Sequence, residues 1–88
     1  MRAVVTVVGS DKVGIVAGVT ACLAKLEANI VDISMTLLSG NFTMMMMVVL
    51  PESLEFAKFK DALVDKGLDL GVVIHVQNEA LFEAMHKL

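Results

Sequence analysis

Hydrophobic positions along the chain change period several times, and each change marks an element. Arg2 to Val8 (RAVVTVV) is short and β-branched, which predicts a strand buried on both faces. From Ile15 to Ala28 the period becomes helical. Ile15, Val16, Val19, Cys22, Leu23 and Leu26 then share one broad face. Asp11, just ahead, has the side chain to cap this helix, and Asn29, just behind, tolerates the left-handed turn that ends one. Ile30 to Leu38 (IVDISMTLL) alternates. Val31, Ile33, Met35 and Leu37 fall on one face, Asp32, Ser34 and Thr36 on the other. Ser39-Gly40-Asn41 reads as a hairpin turn, and Phe42 to Leu50 (FTMMMMVVL) as a strand covered on both faces.

Pro51 breaks that strand. Ser53 is a candidate cap for a second helix, with Glu55 in the first turn and an apolar stripe of Phe56, Phe59, Ala62 and Leu63. Lys66-Gly67 supplies the cation and glycine that close helices. Leu68 to Gln77 (LDLGVVIHVQ) alternates again, which predicts a fourth strand with His75 on the face away from the helices. Asn78 then caps a short final helix with Leu81, Phe82, Met85 and Leu88 on one face.

This order predicts an α+β, ferredoxin-like βαββαβ sandwich: a four-stranded antiparallel sheet, two helices on one face, and a short C-terminal helix. The chain is expected to form one domain over residues 1–88, with a core at 2–78 and a helical extension at 79–88. In this plan the first and third strands are central, and those are the two that lack alternation. The plan also leaves a question. The helices cover one sheet face, yet the central strands are apolar on both, so the final helix or a second copy must cover the other.

Composition narrows the functions. The chain is 57% hydrophobic, above the usual ~45–50%, and its only aromatic residues are four Phe. Unbroken apolar runs stay below about 10 residues, against roughly 18 for a spanning helix, so no membrane association is expected. A secretory leader is not expected either, since Arg2 opens a strand-like run with no small-residue cleavage site. The single cysteine, Cys22, excludes an internal disulfide and suits a reducing cytosol, so a cytoplasmic location is expected. Net charge is −3, and no basic stripe marks a nucleic-acid surface.

Three chemistries known on this fold fail on residue types. RNA binding needs aromatic residues on the central strands, and the third strand offers methionines and one Phe. Soft-metal capture needs two thiolates in the first loop, and "GSDKVG" has none. Phosphoryl capture needs an arginine in that loop, and the only arginine is Arg2. Met44–Met47 suggests thioether ligands for Cu(I), but consecutive strand residues alternate faces, so only two converge on either side. Adaptable packing explains them better. Cys22 reads as a buried, inert thiol and Gly18 as a close approach to a neighbour, the other helix. No nucleophile, base and orienter assemble, since Asp32, Ser34 and Thr36 share a face without a nearby His or Lys. No enzyme activity, cofactor or metal is expected.

The first loop is the remaining candidate. Gly9-Ser10-Asp11-Lys12-Val13-Gly14, followed by "GIVAGVTACLAKLEANIVDIS" over 14–34, resembles the ACT domain, a small regulatory module that binds amino acids and other effectors. The resemblance rests on Gly-x-Asp-x-x-Gly after the first strand, the apolar spacing of the helix, and Asn29-Ile30 opening the second strand. It covers roughly residues 2–78, and with its C-terminal helix the whole chain resembles a group of small stand-alone ACT proteins. Two departures stand out: Val13 where many members have Pro, and Glu27-Ala28 where a Gly is common.

Asp11 occupies the place of the middle glycine of a dinucleotide loop and would repel phosphate, so the loop is no phosphate cradle. An amino acid needs a donor cluster and an acceptor cluster. The helix N-terminus near Val13–Ile15 has N–H groups for an α-carboxylate, and Asp11 or Asn29 could take the ammonium. Bland roles compete: Asp11 as a cap alone, Gly9 and Gly14 as backbone geometry, Asn29 as a helix end. The resemblance implies a ligand between the first loop of one subunit and the start of the second strand of another. The candidate ligand-binding set is therefore Ser10, Asp11, Lys12, Val13, Gly14, Asn29 and Ile30. The function expected is effector sensing at a homodimer or higher homo-oligomer interface, with control of a partner enzyme or transcription regulator. The alternative is a ligand-free dimerisation and protein-interaction module.

Overall fold

A computed structural model describes residues 1–10 and 13–86. The elements are β1 (Arg2–Ser10), α1 (Ile15–Lys25), β2 (Asn29–Leu38), β3 (Asn41–Val49), α2 (Phe56–Leu70), β4 (Val73–Asn78) and α3 (Glu79–His86). They form the expected ferredoxin-like sandwich. The sheet order is β2-β3-β1-β4, every pair is antiparallel, and β1 and β3 are central. The hairpin between β2 and β3 turns through Ser39 and Gly40, both at positive φ, as its two-residue turn requires.

The core lies between the helices and one sheet face. Ile15, Val19 and Leu23 of α1 and Phe59 and Leu63 of α2 recur every four residues and are fully buried. They meet Ala3, Val5 and Val7 of β1, Phe42, Met44, Met46 and Val48 of β3, and Ile74 and Val76 of β4. Gly18 lets the helices approach: a Cβ there would sit 2.9 Å from a Leu70 methyl.

Several boundaries differ from the sequence reading. Helix α1 ends at Lys25, and Asn29 is the first residue of β2, not a helix end. The left-handed residue is Glu27, at φ 59. The amide of Glu27 donates to the Ala24 carbonyl and that of Ala28 to the Leu23 carbonyl, the paired bonds that close a helix. Ser53 lies in the turn before α2, whose N-cap position is Glu55. Helix α2 passes through Lys66-Gly67 and ends instead at Gly71, at φ 74. Leu68 and Leu70 thus belong to the helix, and β4 is shorter than its alternation predicts. Gly67 is buried inside α2 because β4 packs directly against it.

Strand β2 also departs from expectation. Its register shifts between Ile30 and Asp32, so Ile30 rather than Val31 lies opposite the buried Val48 on the helix face. Ile33, Met35 and Leu37 share that face but are 43%, 53% and 62% exposed. The reason is length. Helix α1 has 11 residues, or about 16 Å at 1.5 Å each, against about 33 Å for a ten-residue strand. The helix cannot roof an edge strand twice as long.

Helix α3 folds over the other sheet face of its own chain. Asn78 caps it, with the Leu81 amide donating to Asn78 Oδ1 at 2.7 Å. Gln77 Nε2 lies 3.3 Å from Met85 Sδ, and Arg2 pairs with Glu79 at 3.4 Å. This cover is partial. Val4 is buried, whereas Val8, Met45 and Val73 on the same face stay exposed. Leu88 lies outside the described residues.

Candidate functional site

The first loop joins the end of β1 to α1. Ser10 is exposed and pairs with Asn41 at one end of the sheet. Val13 points fully into solvent. Gly14, at φ 90, occupies the N-cap position of α1 and carries no side-chain cap. Its carbonyl accepts the Gly18 amide at 2.8 Å, the first bond of the helix. The amides of Ile15, Val16 and Ala17 have no carbonyl one turn back within the helix, and they sit at its positive end. That terminus suits an anion, and no acidic side chain occupies its first turn. Asp11 and Lys12 lie outside the described residues.

Asn29 and Ile30 stand elsewhere. Asn29 lies opposite Val49, which lies opposite Arg2, so it belongs to the end of the sheet where β1 begins. Ser10 ends the same strand eight residues later, a separation of roughly 26 Å at about 3.3 Å per residue. Asn29 is exposed, and Ile30 packs partly against the core. One chain therefore brings Ser10, Val13 and Gly14 together, and does not bring Asn29 and Ile30 to them.

The polar residues of β2 and His75 lie on one sheet face but far apart. Ser34, Met45, Thr6 and His75 form one row across the open sheet face, so His75 is three strand spacings from Ser34, about 14 Å. Among the described residues no group of three His, Cys, Asp or Glu could hold a metal ion. Cys22 is half-buried against the core. Burial pushes its thiol pKa up, and the charges of Lys66 and Lys25 pull it part-way back. Among the described residues no helix is long and apolar enough to cross a membrane.

The structure adds a feature that the sequence reading did not single out. A cavity of about 160 Å³ opens on the sheet face beneath α3, lined by Val4, Asp32, Ser34, Met45, Met47 and Phe82 among others. The signal for it was present in part. Asp32 and Ser34 alternate onto that face, and α3 is amphipathic, but only the register sets them around Met45 and Met47.

Comparison with known proteins supplies the remaining findings. The sequence pattern of the ACT domain matches residues 2–77. The chain is 68% identical to UPF0237 protein YjhC of Lactococcus lactis, over the full length of both. It is 56% identical to a UPF0237 protein of Listeria monocytogenes, again over both full lengths. Its fold is similar to that of an ACT domain protein from Streptococcus pneumoniae, with a TM-score of 0.85, 46% identity and 94% of each chain covered.

Proposed function

The chain belongs to the ACT domain family, and from that premise we propose that it senses a small effector, an amino acid or similar metabolite, at an interface between two copies. ACT domains generally form regulatory ligand-binding modules. The observation that carries the reading is the separation of Gly14 from Asn29. A site built from both needs a second subunit. Strand β2 is an edge strand with an exposed apolar row, Ile33, Met35 and Leu37. An unpaired edge of this kind is a template for another strand. Antiparallel pairing of β2 with its copy would set Asn29 of the partner subunit beside Leu38, at the same sheet end as Ser10 and Gly14.

In this arrangement the amides at Val13–Ile15 receive the α-carboxylate, and Asp11 or Asn29 of the partner subunit receives the ammonium. Ser10 and Lys12 of one chain and Ile30 of the partner subunit are the further candidate contacts. Binding carries a signal only through preference for one association state or conformation, which a partner enzyme or transcription regulator then reads. We read the protein as cytoplasmic, where a lone thiol stays reduced.

The same exposed row favours a second reading, a module that assembles without ligand. A thermal-shift screen against the common amino acids, on the native chain and on Asp11→Ala, separates the two. A ligand at one hundred times its Kd adds about 2.7 kcal/mol of stability. The sensing reading expects a shift with one amino acid; its loss in Asp11→Ala assigns the ammonium to Asp11, and its survival assigns it to Asn29 of the partner subunit. No shift with any of them leaves the assembly reading, in which Asp11→Ala costs at most the about 0.5–2 kcal/mol of a helix cap.

A further inference from the structure

The cavity beneath α3 lies on the sheet face opposite the core, and the sensing reading makes no use of it. Its floor is Val4, Met45 and Met47, its wall is Phe82, and Asp32 and Ser34 stand on the β2 side. Register accounts for the set: Asp32 lies opposite Met47, Met47 opposite Val4, and Ser34 opposite Met45.

At about 160 Å³ the cavity matches one that holds a benzene-sized molecule. Thioethers make favourable contacts with ring edges. Among the described residues the lining contains one charged group, the Asp32 carboxylate, and no Lys, Arg or His. Asp32 Oδ1 accepts the Ile33 amide at 3.0 Å, which leaves Oδ2 as the acceptor for a ligand. A carboxylate beside an apolar floor favours a positively charged apolar molecule and repels an anion.

We propose that this cavity binds a small apolar ammonium compound, an arylalkyl or branched alkyl primary amine lacking a carboxylate. It is a second site, separate from the first loop. An α-amino acid fits it poorly, because its carboxylate would lie beside the like charge of Asp32.

The test is a methyl NMR titration of the whole chain, labelled at the methionine methyl groups. The probes are phenethylamine, its neutral isostere 2-phenylethanol, and 3-phenylpropionate. Met45→Leu and Met47→Leu assign the two reporters, and Met35, on the other face, is the control. The expected result is a shift of the Met45 and Met47 signals that saturates first with phenethylamine and is weakest with the carboxylate. Asp32→Asn should weaken phenethylamine binding by about two- to fivefold, the range of an exposed ion pair, and erase its advantage over the alcohol. Unchanged Met44 and Met46 signals, from the core, show that the variant is folded. Equal response to all three probes, no response, or indifference to Asp32→Asn overturns the proposal. So does a response of Met45 and Met47 to protein concentration alone, which would assign the face to a second copy.

Discussion

Gly67 and Val72 touch through backbone at the end of α2. The Val72 amide donates to the Gly67 carbonyl at 2.9 Å, and a Cβ on Gly67 would come 2.9 Å from the Val72 carbonyl oxygen. Gly18 meets a different neighbour, the methyl end of Leu70, at 2.9 Å. A side-chain end gives way and a backbone carbonyl in a strand connection does not. Gly67→Ala should therefore destabilise by about 1–3 kcal/mol, as overpacking does. In Gly18→Ala the gain in helix propensity, about 1 kcal/mol, offsets the displacement of Leu70. Urea unfolding of both variants checks the contrast: a clear loss for the first, and a change within about 1 kcal/mol for the second.

Glu27 holds a conformation better suited to glycine. Its φ of 59 lies in the left-handed region, and it is exposed, so its side chain contributes little packing in return. The closing bonds of α1 come from backbone amides and survive any substitution except proline. Glu27→Gly should stabilise the protein by about 0.5–1 kcal/mol, the relief of strain less the added freedom of the unfolded chain. A rise in melting temperature is the readout, and a fall would mean that Glu27 is held by more than its backbone.

Helix α3 depends on Asn78. The 2.7 Å bond to the Leu81 amide is its side-chain cap, and the eight-residue helix is too short to persist in isolation. Asn78→Ala should cost about 0.5–2 kcal/mol. The loss should be local: amide exchange should accelerate across residues 79–86 while β1 and β3 keep their protection. Uniform acceleration through the sheet would make α3 part of the cooperative core.

Much of this architecture was legible from pattern alone. The two strands without alternation, Arg2–Val8 and Phe42–Leu50, are the central ones, and the Asn78 cap and the Ser39-Gly40 turn are where local chemistry requires them. The misreadings share a cause. Leu68-Asp69-Leu70 alternates like a strand but continues a helix, because Gly67 serves contact with β4 rather than termination. Asn29 has the better intrinsic preference for a left-handed turn, yet Glu27 takes it, because the closing bonds to Leu23 and Ala24 fall there. Each depends on what packs from another part of the chain. The candidate site shows the same limit. Residue types marked the first loop and Asn29-Ile30, while only strand register revealed that they lie at opposite ends of the sheet.

The exposed row of β2 yields the last prediction. Ile33, Met35 and Leu37 sit on the helix side of an edge strand that α1 is too short to cover. A long apolar edge left in water pairs with another strand unless charge blocks it. Met35 is near the middle of the strand and 53% exposed, so a lysine there adds charge at the edge without opening the core. Met35→Lys should leave the monomer fold intact, within about 0.5 kcal/mol, as expected for a surface change away from packed features. If two copies pair through β2 as proposed, it should also shift the protein from dimer to monomer in sedimentation equilibrium. If effector sensing needs both subunits, the same variant should lose any amino-acid thermal shift even though Asp11 and Gly14 are untouched. A monomeric variant that still responded to its amino acid would confine the site to one first loop, and Asn29 would then have no part in it.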